Sequence, residues 1–195
     1  MPLELKVLTG DALARSLPDV AALRIKVFRE WPYLYEGDHA YEERYLEPYL
    51  NTVGAVLVGA FEGTALVGAA TGMPLTAHAD DFAVAFAGSA YKPEDIFYCA
   101  ESVLLPEYRG QGAGHRFFDL REEAARAQGF GLCAFCAVVR PPDHPARPDS
   151  YRALDGFWRA RGYAPADGIV AEFSWKDIGE SYETLKPLQF WIREL

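Results

Sequence analysis

Apolar and polar positions alternate over residues 3–8 (LELKVL), the period-2 pattern of a half-buried strand. The period then changes. Leu13, Leu17, Val20, Leu23 and Val27 recur near helical spacing, which predicts a helix to about Glu30, with Asp11 as its cap and Pro18 as a place where it breaks in two. Residues 31–41 (WPYLYEGDHAY) have no period and read as an aromatic-dense loop, and residues 41–50 as a short second helix. Two apolar runs, 52–62 and 64–75, flank Gly63 and read as a hairpin. Residues 77–95 form a partly helical connector. One long strand is predicted over 95–105, then a glycine-rich turn, then a helix from Gly112 to Gln128 that stops at Gly129. The apolar run 129–139 reads as a buried strand. Residues 140–150 (RPPDHPARPDS) hold four prolines in eleven positions and read as a loop. A helix over 151–162 and strands over 169–178 and 187–195 complete the chain. The order is mixed α/β, and 195 residues suit one domain, 1–195, without repeats or linkers.

Charge narrows the partners. Nineteen Lys and Arg against 28 Asp and Glu give a net charge of −9, which repels phosphate backbones and argues against nucleic-acid binding. The longest uncharged stretch, 63–79, is strand-like and broken by Gly, Thr and Pro, so no membrane span is expected. The start of the chain shows no secretory pattern. Three cysteines, Cys99, Cys133 and Cys136, fit a reducing cytoplasm better than a disulfide framework. Cys133 and Cys136 form C-x-x-C, but inside a strand-like run and with no second ligand pair, so they are expected as core residues and no metal site is expected.

The stretch YRGQGAGHRF (108–117) places Gly110, Gly112 and Gly114 where a strand hands over to a helix. A dinucleotide fingerprint fails in both registers, because His115 and Phe117 stand where its last glycine would be. A P-loop fails for want of a lysine. A bare helix N-terminus remains, able to bind an anion through backbone N–H groups, with Arg109, His115 and Arg116 close by. A plain strand-to-helix turn is the structural alternative.

With these residues in hand, LLPEYRGQGAG (104–114) resembles the acetyl-CoA signature of the GCN5-related N-acetyltransferase (GNAT) superfamily: Arg or Gln, two residues, Gly, one residue, Gly or Ala. Arg109, Gly112 and Gly114 fill it. The element order over nearly the whole chain is similar to that family's, and FWRARGY (157–163) resembles its aromatic end of the fourth helix. The resemblance implies a central, mostly antiparallel sheet splayed at strands four and five and flanked by helices. It implies acetyl-CoA as co-substrate, with pyrophosphate on Arg109, Gly110, Gln111, Gly112, Ala113, Gly114 and His115, and pantetheine along Val103, Leu104 and Leu105. It further implies direct acetyl transfer to the primary amine of a small molecule through a ternary complex, with a homodimer as a family habit. A non-catalytic acyl-CoA-binding or sensing domain of the same fold is the alternative.

Such chemistry needs a route for the amine's proton and a donor for the developing oxyanion. Glu101, the only acid in its strand, is the candidate base or substrate contact, on the expectation that apolar neighbours raise its pKa. The Leu104 N–H is the oxyanion candidate. Where the family often has a tyrosine as leaving-group acid, this chain has Trp158; Tyr151 is the nearby phenol carried as a catalytic candidate. Trp31, Tyr33 and Tyr35, with Glu36 and Asp38, suit an ammonium ion. Arg140, His144 and Arg147 in the proline loop are placed to clamp a carboxylate or to cover a sheet edge.

Overall fold

The computed structural model describes residues 3–195, without the side chains of 79–81 and 83. Residues 1 and 2 of the expected domain lie outside the described residues. In chain order the elements are β1 (Glu4–Leu8), α1 (Gly10–Phe28), α2 (His39–Leu46), α3 (Pro48–Asn51), β2 (Val56–Glu62), β3 (Ala65–Pro74), α4 (Ala79–Phe86), β4 (Ile96–Tyr98), β5 (Ser102–Leu104), α5 (Ala113–Ala127), β6 (Leu132–Val138), α6 (Asp155–Ala160), β7 (Ala164–Trp175) and β8 (Thr184–Glu194). Among the described residues no helix is long and apolar enough to cross a membrane.

The sheet runs β1-β2-β3-β4-β6-β8-β7, with β5 pairing β3 off this path. Its pairings are antiparallel except β4 with β6. Strand alternation sorts the core. Leu57 and Ala69 face the apolar stripe of α1 (Leu13, Leu17, Val20), while Val58 and Ala70 face Phe117 of α5. In β4, Ile96 and Tyr98 join the layer under α4, and Phe97 the layer of Phe118 and Tyr163. Alternation also settles the C-x-x-C. A spacing of three in a strand sends Cys133 and Cys136 to opposite faces, and both are buried and free.

Four expectations change. Pro18 does not break α1: its missing N–H removes one bond, but the buried stripe holds the helix together. The helix expected over 151–162 contracts to α6, and the last two strands lengthen to 12 and 11 residues. The long strand over 95–105 is two short ones. Cys99 still bonds β6, N–H to the Ala134 oxygen at 2.8 Å, but Ala100 N–H turns to the Thr71 oxygen at 3.0 Å. The chain changes partner between these two residues, and the uninterrupted apolar run gave no sign of it.

Candidate active site

That change of partner opens the sheet. β4 and β6 stay paired as far as Tyr98 and Ala134, whereas β5 belongs to β3, so the edges of β5 and of the far half of β6 diverge. Thr71 N–H to Glu101 O (3.1 Å) and Leu105 N–H to Val67 O (3.1 Å) fix the alternation along β5. The main-chain groups of Val103 and Leu105 therefore face β3, and those of Ser102 and Leu104 face the opening. This narrows the expected backbone contacts from Val103, Leu104 and Leu105 to Leu104. The Leu104 oxygen accepts from Arg109 Nε (3.1 Å), and Arg109 Nη1 pairs with Glu30 (2.9 Å). From α5, the fully buried Arg121 braces the break, donating to the oxygens of Thr71 (3.1 Å) and Glu101 (3.0 Å) and to Ser102 Oγ (2.8 Å).

The glycine turn follows. Gly110 (φ +76°) and Gly112 (φ +85°) are left-handed, and Gly112 caps α5 without any side-chain bond. The orphan N–H groups of that first turn and its dipole make a surface for an anion. Ala113 is buried. Gly114 is inside the helix, its missing Cβ facing Phe157 at an ordinary 3.6 Å. His115 is exposed, packs edge-on to Phe157 (4.8 Å), and has Nδ1 3.3 Å from Arg161. Gln111 is exposed and donates to the Glu107 oxygen (3.4 Å).

On the α4 side of the sheet lies a cavity of about 100 Å³. Tyr98, Ala100 and Glu101 come to it from one flank of the opening, Cys136 and Leu188 from the other, and Tyr33, Tyr45, Phe82 and Trp175 close it. Arg24 is its buried cation. Its guanidinium lies 4.0 Å from the Tyr45 ring centroid and 5.0 Å from that of Phe28, donates to Glu42, and contacts Glu101 Oε2 at 2.8 Å. The side chains of Arg24, Glu42 and Glu101 are 7%, 0% and 4% exposed, so this acid–cation–acid cluster lies out of water. Tyr45 Oη also donates to Glu101 Oε2 (3.2 Å), while Glu101 Oε1 is buried with no hydrogen-bond partner. Burial holds the Tyr33, Tyr45 and Tyr98 phenols above their ordinary range, and pushes the Cys136 thiol up to about 12, so these wall groups stay neutral.

The expected substrate residues divide. Tyr33 and Tyr35 are in the wall, held there by a well-bonded loop. Tyr35 N–H bonds Phe28 O (2.8 Å), and Arg140 donates to the oxygens of Pro32 (2.8 Å) and Tyr33 (2.6 Å) while gripping Asp177. Trp31 is not in the wall; it packs on His144 (5.1 Å) and Tyr151 (5.9 Å). Glu36 pairs with Lys176 (2.8 Å) and Asp38 caps α2, so neither acid is left for an ammonium ion. Arg140 is likewise engaged, and Arg147 bonds the Pro142 oxygen. Glu101 does not sit among apolar neighbours alone, since Arg24 supplies a counter-charge. Tyr151 is half-buried, with its phenol held up by burial and Asp155, and is not one of the residues lining the cavity. Trp158 packs on Phe135 (5.0 Å) and Trp191 (5.1 Å). Arg24, Glu42, Tyr45 and Phe82 were not anticipated. Arg24 had a readable sign: it lies four residues after Val20 and seven after Leu17, a charge on an apolar stripe. Among the described residues no group of three or more His, Cys, Asp or Glu is placed to hold a metal.

Residues 24–148 match the sequence model described as the acetyltransferase (GNAT) family. Curated protein sequences yield no match. Among solved structures, the PaiA N-acetyltransferase of Thermoplasma acidophilum, in complex with coenzyme A, aligns over 100% of both chains at 13% identity with a TM-score of 0.57. The ribosomal-protein-alanine N-acetyltransferase of Brucella melitensis covers 98% of this chain and 99% of its own at 15% identity, with a TM-score of 0.60. YncA of Salmonella typhimurium, with its cofactor acetyl-CoA, covers 98% and 94% at 12% identity and a TM-score of 0.57. At such identities the likeness concerns the fold.

Proposed function

The chain belongs to the acetyltransferase (GNAT) family, and from that premise we propose that, as a single domain, it transfers an acetyl group from acetyl-CoA to the primary amine of a small molecule. The observation that carries this reading is Glu101 Oε1, a buried carboxylate oxygen without a partner, in a cavity whose walls come from both flanks of the sheet opening. The rest of the chain suits the co-substrate. The open edge at Leu104 offers its N–H to an amide oxygen, its C=O being held by Arg109, and the bare first turn of α5 behind Gly112 offers N–H groups to a pyrophosphate. Acetyl-CoA would supply the activated acyl group and a thiolate that can leave without an acid, since an ordinary thiol has a pKa of about 8–9.

Each residue then has a defined task. Glu101 Oε1 accepts a hydrogen bond from the amine, orients it, and is the candidate acceptor of its proton. Arg24 and Tyr45 hold Oε2, so the carboxylate cannot turn away. The Leu104 N–H faces the side where an oxyanion would develop. Tyr151 and Trp158 are given no proton-transfer task, because neither is in the cavity wall.

The test is a thiol-release assay with purified protein, acetyl-CoA and a broad panel of small amines, basic peptides and protein N-termini. Acetylated small amine is the expected product, and Glu101→Gln should lower turnover by about 10²–10⁴. Acetylation of peptides alone, or of nothing in the panel, would refute the proposal; the second result would match a binding domain without catalysis.

A further inference from the structure

Resting on the acetyl-transfer reading above, we propose that the acceptor is a compact monocationic amine with an apolar body, a phenylalkyl or branched alkyl group without a carboxylate, and that Glu42 sets this charge selectivity from behind the cavity wall.

Charge balance comes first. Two carboxyl groups share the one guanidinium of the cluster, and the next buried cation, Arg121, is hydrogen-bonded to main-chain oxygens and Ser102 rather than to a carboxylate. Glu101 lines the cavity, and its Oε1 has no hydrogen-bond partner. An ammonium ion would pair with that carboxyl group and satisfy the unused acceptor. His78 is the remaining titratable group of the wall besides the neutral phenols and thiol.

The wall sets the body. Phe28, Phe82, Phe173, Trp175 and Leu188 present carbon, and the volume of about 100 Å³, below the ~150 Å³ of an apolar cavity that accepts benzene, keeps the body compact. A carboxylate would be poorly received. Arg24 is already shared by two acids. Arg140 and Lys186, which lie over the Trp175 ring, are committed to Asp177 and to main-chain oxygens. A carboxylate on the substrate would therefore meet the Glu101 charge without compensation. Among the described residues the wall holds no second acid for a second ammonium.

Glu42 touches none of the ligand space; it binds Arg24 and is 0% exposed. Its charge matters all the same. With Glu42→Gln, Arg24 is left to Glu101 alone, and the demand for a cation falls.

Calorimetry with the protein in the presence of CoA reads the cavity's preference without turnover, so bound amines that are not acetylated would refute the transfer reading and leave only the cavity's preference for a monocation standing. The probes are 2-phenylethylamine, 3-methylbutylamine, phenylalanine, 1,4-diaminobutane and the neutral isostere 2-phenylethanol. The two monoamines should bind, and phenylalanine should bind about 100-fold more weakly or less, the scale of an uncompensated like-charge contact. In Glu42→Gln, 2-phenylethylamine should weaken about ten-fold while 2-phenylethanol keeps its affinity. A merely structural defect would weaken both. No binding of either monoamine overturns the proposal, as does phenylalanine or 1,4-diaminobutane binding as tightly as 2-phenylethylamine. An unchanged amine-to-alcohol ratio in Glu42→Gln removes Glu42 from it. If that variant does not fold, the wild-type comparison of 2-phenylethylamine with phenylalanine and 2-phenylethanol decides.

Discussion

Gly112 and Gly129 bracket α5, and together they form a controlled experiment. Both are left-handed, at φ +85° and +86°, and a Cβ built on either meets nothing within 4 Å. Alanine at either site therefore adds the same backbone strain and no clash. That strain is about 1–2 kcal/mol for a left-handed L-residue. In a chain of this size it lowers the melting temperature by about 2–8 °C. Gly129 follows the C-terminal cap, where Phe130 N–H bonds the Ala125 oxygen at 3.0 Å; Gly112 is the N-terminal cap. Only at Gly112 do the affected N–H groups point to the proposed pyrophosphate site.

The two variants should thus melt alike and bind differently. In the Gly112→Ala protein the strained turn shifts in part and misdirects one hydrogen bond to the phosphate, at about 1.5–3 kcal/mol for a charged acceptor. That is about ten- to hundred-fold in CoA affinity. Gly129→Ala should keep wild-type affinity. Calorimetry with CoA and a thermal melt on both proteins decide the matter. Gly112→Ala with the melting loss of Gly129→Ala and unchanged CoA affinity would show that the left-handed turn serves chain geometry alone.

Two further outcomes follow from the packing. Burial pushes the Asp177 carboxyl up, but the hydrogen bonds and charges of Arg140 and Lys186 pull it down further, to a net position below the ordinary carboxylate value. Its stabilisation is therefore full above about pH 4 and is lost as pH falls through the lower folded value. Asp177→Asn should be less stable by about 3–5 kcal/mol near neutrality, as one partner of a buried pair is gone. The melting gap to wild type should narrow only below about pH 4, and a gap that stays constant down to about pH 2 would refute the assignment. Trp158→Phe loses indole contacts with Phe135 and Trp191 and should cost about 1–2 kcal/mol in a melt while leaving turnover within a few-fold. A stable Trp158→Phe protein without turnover would place the indole in the chemistry.

Local spacing carried the fold a long way. The glycine turn was legible because left-handed backbone and bare N–H groups demand glycine at fixed offsets, and the stripe of Leu13, Leu17, Val20 and Leu23 showed α1 through a proline. The break after Cys99 was not legible, since an apolar run looks the same whichever strand it pairs with. The site shows the limit more sharply. Glu36 and Asp38 drew attention because they stand among aromatics in a loop, yet loop acids are easily satisfied by a lysine or a helix end, and here both are. Arg24 and Glu42 drew none, because each sits inside a helix that reads well without it. An ionised group on an apolar face cannot be satisfied locally, however, and must meet a partner across the core. Arg24 on the stripe of α1, Glu42 on the face of α2 that buries Leu46, and Glu101 as the lone acid of its strand are three such violations. Three charged residues on apolar faces must find one another across the core, and that requirement can be read from the sequence before any partner is located in space.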